Sequence, residues 1–206
     1  MAAADLGEVA DYFNETFAKF GATAKGLDWN GEATQLLSME QCCKLFGDKT
    51  AFSLIDLGCG YAPFLDYLRK RKYEPDYLGI DISEPMIEEA RKRFSGDRRA
   101  RFEVGALPTE EADFVVASGI FNLRFDRSDE DWRAYILRTL DAMNVAAVEG
   151  FAFNCLTKYS DADRMRPDLF YSDPCWLFDH CKQYYSRNVA LLHDYEKYEF
   201  TIIVRR

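Results

Sequence analysis

Residues 54–68 read LIDLGCGYAPFLDYL: an apolar run that ends in an acid and a glycine turn, followed by a stretch with apolar periodicity. This order predicts a buried strand, a tight turn and a helix that carries Pro63 in its first turn. Glycine weakens any regular element, so Gly58 and Gly60 indicate that the backbone at this turn must stay uncovered. In α/β proteins such a turn is typical of a site where a ligand lies against the main chain.

Strand and helix continue to alternate after residue 51, which predicts a parallel sheet. The segment ALLHDYEKYEFTIIVRR has no helix between its apolar runs, so it predicts a C-terminal antiparallel hairpin. Before residue 51, apolar residues at helical spacing predict helices at 5–20 and 33–46, joined by the glycine-rich loop 21–31. The predicted strands are 52–57, 77–81, 100–104, 113–118, 149–156, 189–193 and 200–205, and the helices between them are 63–72, 84–95, 129–144 and 174–185.

The 206 residues are enough for one α/β domain with a full core. We predict an N-terminal helical cap or lid at 1–50 and a ligand-binding domain at 51–206, which together form one structural domain. The expected fold is a doubly wound, mostly parallel sheet that ends in the antiparallel hairpin. The glycines of loop 21–31 would let the cap close over the sheet.

Charge and hydropathy limit the partners. The net charge is −9 and the sequence pI is about 4.8, which argues against a nucleic-acid substrate because phosphates are bound mainly through Lys and Arg. No apolar stretch approaches the length of a membrane span, and the N-terminus lacks the pattern of a secretory signal. We therefore expect a cytoplasmic protein with no membrane partner; the sequence leaves its oligomeric state open.

The six cysteines are not spaced as disulfide or zinc frameworks require. Cys175, His180 and Cys181 lie close together, but their spacing matches no common zinc template. Buried, reduced thiols suit the cytosol. The sequence predicts no metal site.

The positions of two acids indicate the ligand. Pro63 replaces the third small residue of a dinucleotide fingerprint, and the chain has no Gly-Lys-Ser/Thr ending of a phosphate-binding loop. Asp56 ends the first strand, where a carboxylate repels a pyrophosphate but suits a cation. Asp81 ends the next strand, where it can accept both ribose hydroxyls of an adenosine. The pattern favours S-adenosylmethionine (SAM), which carries an amino group and a sulfonium.

At these residues the chain resembles the class I SAM-dependent methyltransferases. Their first motif, acid-x-Gly-x-Gly-x-Gly, aligns with 56–62, and their ribose-binding acid aligns with Asp81. The resemblance implies a seven-stranded sheet, SAM as cofactor and S-adenosylhomocysteine as product. Ala62 replaces the third glycine, and Ala106 stands where many members carry an acid that contacts adenine. The expected cofactor contacts are Asp56, Gly58, Cys59, Gly60, Tyr61, Asp81, Ile82, Ala106, Leu107 and Ser118.

The segment after the fourth predicted strand reads ASGIFNL and lacks the Asn/Asp-Pro-Pro-Tyr/Phe motif of enzymes that act on the amino groups of bases. Aromatic residues mixed with a few polar groups at this edge of the sheet favour a small-molecule acceptor. We expect Trp29, Phe121 and Asn154 to contact it; the other interpretation is that the aromatics pack the cap onto the sheet. The candidate bases are Tyr159, Tyr171 and Asp173, since His180 and His193 are also explained as structural residues.

Two alternatives to this function stay open at the level of sequence. One is a SAM-binding regulatory or scaffold protein that transfers no methyl group, because such a protein needs the same cofactor motifs. The other is a methyltransferase that acts on protein or RNA.

Overall fold

A seven-stranded sheet organises the chain, and its strand order is β3-β2-β1-β4-β5-β7-β6. The computed structural model describes residues 6–206. The strands are β1 (Ser53–Leu57), β2 (Asp76–Asp81), β3 (Ala100–Val104), β4 (Ala112–Ala117), β5 (Ala147–Leu156), β6 (Asn188–Leu192) and β7 (Glu199–Arg205). The helices are α1 (Gly7–Phe20), α2 (Glu32–Cys43), α3 (Pro63–Lys70), α4 (Glu84–Arg93), α5 (Asp129–Ala146) and α6 (Pro174–Tyr184), with short 3₁₀ helices at Ala24–Leu27 and Ala162–Arg164.

The topology confirms the predicted fold class. Strands β1 to β5 pair in parallel, whereas β7 runs antiparallel between β5 and β6. The predicted N-terminal helix starts at Gly7 among the described residues, and its predicted first residue, Asp5, lies outside them. The second predicted helix ends at Cys43 rather than at residue 46, where the chain tightens into turns.

Side-chain caps fix the starts of three helices at the predicted positions. Ser83 accepts a hydrogen bond from the Met86 N–H at the start of α4. Ser128 does the same for Asp131 at the start of α5, and Asp173 for Cys175 at the start of α6. Each cap satisfies a backbone donor that the helix itself cannot pair, so these starts could be read from local sequence.

Two apolar layers pack on the two faces of the sheet. One contains α5 and α6 and includes the fully buried Trp132, Phe151 and Phe153. The other contains α2, α3 and α4 and includes Leu65 and Tyr77. Helix α2 belongs to this core, whereas α1 contacts the first 3₁₀ helix and α4 near the edge of the sheet. Within the described chain, no helix combines the length and apolar character needed to cross a bilayer.

Candidate active site

A cavity of about 500 Å³ lies at the edge of the sheet where β1, β2, β4 and β5 end and β7 begins. The ends of parallel strands are the usual ligand site of open α/β sheets. Its walls come from three parts of the chain: the N-terminal segment with Phe13, Leu27 and Trp29, the strand ends, and the loops around Ile120 and Tyr171. Its volume is within the range of small-molecule sites.

Gly58 of the glycine turn lines this cavity, and Gly60 lies just below it. Gly58 has φ +78° and Gly60 has φ +55°, a left-handed conformation that side chains disfavour. A Cβ on Gly58 would lie 2.1 Å from Ile120 Cγ2, and one on Gly60 would lie 2.6 Å from Leu27 Cδ2. Glycine is therefore required at both positions for two reasons: the backbone is left-handed, and the side chains of Ile120 and Leu27 leave no room for a Cβ.

Asp81 lies at the end of β2, buried and facing the cavity. Its Oδ1 accepts a hydrogen bond from the Ser83 N–H and its Oδ2 accepts one from the Gly60 N–H, both at 2.8 Å. Burial raises the pKa of this carboxyl, and the backbone hydrogen bonds oppose that rise. A carboxylate has about four acceptor sites, so Asp81 keeps acceptor capacity for two hydroxyls of a ligand.

Asp56, one of the expected cofactor contacts, does not line the cavity. Its Oδ2 accepts a hydrogen bond of 2.5 Å from the Tyr77 hydroxyl, under the turn. Burial raises the pKa of Asp56 to about 7, against the lowering effect of the Tyr77 hydrogen bond. The register explains the difference: Asp56 pairs with Gly79 and so shares a face of the sheet with Asp81, but it lies two residues deeper in the sheet, away from the strand ends that line the cavity.

Gly79 makes the contact between Asp56 and Tyr77 possible. It pairs with Asp56 in the sheet, and a Cβ on it would lie 2.7 Å from the sulfur of Cys59 and 3.0 Å from the Tyr77 ring. The missing side chain leaves room for that ring to reach across to Asp56.

The structure divides the other predicted site residues into two groups. Trp29, Ile82, Ala106, Ser118 and Tyr171 line the cavity together with Gly58 and Asp81. The residues that do not line it are Cys59, Gly60, Tyr61, Leu107, Phe121, Asn154, Tyr159 and Asp173.

Each predicted residue outside the cavity has another environment. Tyr61 stacks on Phe17, and Phe121 is fully buried against Tyr135 and Phe153. Tyr61 thus packs against α1, whereas Phe121 packs inside the core on one face of the sheet. The remaining placements are as follows: Cys59 is buried beneath the turn, Gly60 lies under Leu27, Leu107 and Tyr159 are exposed, Asn154 is fully buried in β5, and Asp173 caps α6 and pairs with Lys158.

One buried ionic cluster was missed by the sequence analysis. Glu199, the first residue of β7, lines the cavity with 2% of its side chain exposed. Its Oε1 accepts a 2.6 Å hydrogen bond from Ser38, and Lys197 Nζ lies 3.1 Å from its Oε2. Burial raises the pKa of Glu199, and Lys197 opposes the rise. The position of Glu199 in the sequence could have predicted it, because the start of an antiparallel strand lies at the same edge of the sheet as the ends of its parallel neighbours.

Lys197 joins this cluster to the N-terminal segment. It donates hydrogen bonds to Ser38 and to the Thr34 carbonyl, and its ammonium lies 4.8 Å from the centre of the Trp29 ring. The N-terminal segment is thereby attached to β7 across the cavity wall.

The cavity fits the adenosyl cofactor that the sequence indicates. Bare backbone at Gly58 adjoins a buried carboxylate that can accept the ribose hydroxyls, and Ile82 and Ala106 lie next to it. For metals, no group of three or more potential ligands occurs among residues 6–206.

Comparisons with known proteins agree with this geometry. A family model described as "Methyltransferase domain" matches residues 55–144. The "Putative methyltransferase Rv1506c" of Mycobacterium tuberculosis is 56% identical over 155 residues, which cover 75% of this chain and 93% of that protein.

Solved structures show the same fold. The magnesium protoporphyrin IX methyltransferase from Synechocystis PCC 6803 with bound S-adenosylhomocysteine has a TM-score of 0.71 and 16% identity, with coverage of 98% of this chain and 100% of the other. The DhpI-SAM-HEP complex has a TM-score of 0.66 and 15% identity, with complete coverage of both chains. With its sequence relative, its motif and its fold in agreement, the chain belongs to the class I SAM-dependent methyltransferases.

Proposed function

We propose that this enzyme transfers the methyl group of SAM to a small-molecule acceptor inside the cavity and releases S-adenosylhomocysteine. The observation that carries the proposal is the shape of the site. The walls come from the strand ends, the N-terminal segment and two loops, and they mix apolar and polar groups around about 500 Å³. Such a site suits a small organic molecule. The net charge of −9 disfavours an RNA acceptor.

The cofactor would occupy the half of the cavity over β1 and β2. Gly58 presents bare backbone there, Asp81 accepts the ribose hydroxyls, and Ile82 and Ala106 lie beside the adenosine. Asp56 acts indirectly, because its bond to Tyr77 fixes the strands under the glycine turn. Bound SAM supplies an electrophilic methyl group.

The protein's part is to hold the acceptor in line with that methyl group and to exclude water. Positioning of this kind is worth effective molarities on the order of 10⁵–10⁸ M. The described part of the predicted cap, residues 6–50, would cover the site through Phe13, Leu27 and Trp29, which form one wall. The free thiols of all six cysteines support a reducing compartment, the cytoplasm.

Calorimetry with Asp81→Asn tests the cofactor half of the proposal. We expect SAM affinity to fall tenfold or more, because the amide replaces one acceptor by a donor. Asp76→Asn is the matched control, since Asp76 is exposed at the far end of β2. Unchanged affinity in Asp81→Asn would remove the ribose contact.

The acceptor class is tested with methyl-labelled SAM and a cell extract. After the reaction, the extract is separated by ultrafiltration into metabolites and macromolecules. We expect label among the metabolites. Label confined to RNA or protein would overturn the small-molecule proposal and leave the enzyme a methyltransferase of a polymer.

A further inference from the structure

Asn154 makes two hydrogen bonds from the interior of the protein to the loop that follows β4. The residue is fully buried in β5. Its Oδ1 accepts a 2.7 Å hydrogen bond from the Gly119 N–H, and its Nδ2 donates one of 2.8 Å to Ser118 Oγ. The Gly119 contact sets the orientation of the amide, because the reverse orientation would place the NH₂ group against an N–H donor.

This orientation decides what Ser118 can do. A hydroxyl has one hydrogen to donate and two lone pairs, and Asn154 occupies a lone pair. The oxygen of Asn154 is already used by Gly119. Among residues 6–206, no protein acceptor takes the Ser118 hydrogen. Ser118 is half-buried in the cavity wall, so this hydrogen is held ready for a ligand.

The amide orientation of a second side chain in the same wall, Asn122, is also fixed by a backbone hydrogen bond. Asn122 Oδ1 accepts a 3.0 Å hydrogen bond from the Leu156 N–H, which leaves both hydrogens of its NH₂ group as donors. Asn122 lines the cavity. At the rim of the same region, Arg164 carries a guanidinium that forms no ion pair with another described residue.

Ser118 lies at the border of the cofactor half of the cavity, and the other two donors lie beyond it. Ala117 of β4 pairs with Leu57 of β1, so Ser118 follows directly beside the glycine turn, at the border between the two halves. Asn122 and Arg164 lie farther toward β5 and its following loop. Two oriented neutral donors and one cation in one cavity suit an oxyanion, and the Glu199 carboxylate that lines the same cavity is already paired with Lys197.

We propose that the acceptor carries a carboxylate, that Ser118 and Asn122 bind its oxygens, and that Asn154 is the positioning residue that directs the Ser118 hydrogen. This inference rests on the proposed function and reassigns Ser118 from cofactor to acceptor. In the reaction, a carboxylate oxygen forms a bond to the methyl carbon while the carbon–sulfur bond breaks and leaves its electron pair on sulfur. The products are a methyl ester and S-adenosylhomocysteine. No proton is transferred, so the reaction needs no general base.

A matched panel of acceptors tests the class of substrate. Aromatic and aliphatic carboxylic acids are each paired with the amide, amine and alcohol of the same skeleton and incubated with methyl-labelled SAM. We expect base-labile methyl esters from acids alone. Transfer to the amines or alcohols with the acids inert would overturn this inference and leave the small-molecule function intact. Failure of the whole panel, with SAM bound in calorimetry, would count against the small-molecule function itself.

Two variants test the role of Asn154. Ser118→Ala removes the donor, and Asn154→Asp can only accept from Ser118, which turns the hydrogen away from the cavity. We expect each to raise KM for the acid about tenfold, the usual scale for a hydrogen bond to a charged group, with the Kd of SAM unchanged. The double variant should lose no more than either single one, because both remove the same hydrogen bond.

A pH profile separates positioning from a general structural effect. As the pH falls, the introduced carboxyl in Asn154→Asp takes up a proton and can donate to Ser118 again, so its KM should approach the wild-type value, whereas Ser118→Ala should not recover. Ser172→Ala is the matched control, since Ser172 is a buried serine outside the cavity whose hydroxyl has no partner among the described residues. Multiplicative losses in the double variant, or weakened SAM binding with unchanged KM for the acid in Ser118→Ala, would overturn the assignment.

Discussion

Tyr77 donates its phenolic hydrogen to Asp56 across 2.5 Å, and this bond joins β1 to β2 directly beneath the glycine turn. Both residues are buried, and neither lines the cavity. The acid that begins the cofactor motif therefore supports the floor of the site, and its neighbour Asp81 faces the cavity.

Stability should depend on pH through Asp56. Burial raises its pKa from 3.8 to about 7, so the folded protein binds a proton that the unfolded chain has lost over this range. The free energy of unfolding contributed by this group thus falls as the pH rises, by about 4 kcal/mol in all. Asp56→Asn removes the titration and should gain stability over the wild type progressively from pH 4 to pH 7 in urea unfolding. Parallel curves for the two proteins would contradict the assignment.

Gly58→Ala should damage both folding and cofactor binding. The left-handed conformation costs a side chain about 1–2 kcal/mol, or roughly 2–8 °C in Tm, and the new Cβ would lie 2.1 Å from Ile120 Cγ2. Thermal melts and SAM calorimetry measure the two effects. Gly96→Ala is the control, because a Cβ at Gly96 would have no atom within 4 Å and its φ is not in the left-handed region. Equal behaviour of the two variants would show that the turn tolerates a side chain.

Loss of Lys197 should leave a buried charge without its partner. In Lys197→Met we expect the free energy of unfolding to fall by about 3–5 kcal/mol at neutral pH, as for other broken buried pairs. The loss should shrink at acidic pH, where Glu199 is protonated, and in the double variant with Glu199→Gln. Lys49→Met breaks the exposed pair with Glu149 and should cost no more than about 1 kcal/mol. A similar cost for Lys197→Met and Lys49→Met would contradict this account.

Ligand binding should change the fluorescence of Trp29. The chain has three tryptophans, and Trp29 is the one in the cavity wall, with Lys197 beside its ring. Trp132 is fully buried and donates its indole hydrogen to the Phe121 carbonyl. Addition of S-adenosylhomocysteine should alter emission in the wild type and in Trp176→Phe but not in Trp29→Phe. A full response in Trp29→Phe would mean that this segment does not contact the bound state.

Local patterns were enough to predict the fold. The strands between Ser53 and Arg205 contain apolar runs or, in β3, apolar residues that alternate with charged ones, and the capping residues Ser83, Ser128 and Asp173 stand where their helices start. Such signals depend on only a few neighbouring residues, so they can be recognised without knowledge of the tertiary structure.

The side chains of the site were harder to predict, because the depth of a residue in the sheet depends on the register between strands. Asp56 and Asp81 share a face, yet Asp56 pairs with Gly79 and lies under the turn, whereas Asp81 lies two residues farther along and faces the cavity. Asn154 was expected in the cavity and acts instead on the loop beside it. The bond between Ser38 and Glu199 joins residues that are 161 positions apart, and no local pattern contains that pairing.

The place of β7 in the sheet has a consequence for how the nascent polypeptide matures. Strand β6 is synthesised before β7, but in the sheet it pairs only with β7 and not with β5. Until β7 inserts beside β5, that half of the sheet exposes a free edge, and Glu199 has not yet reached Ser38. The wall of the cavity at Glu199 therefore forms only once β7 has paired with β5, whereas Gly58 and Asp81 come from earlier parts of the chain.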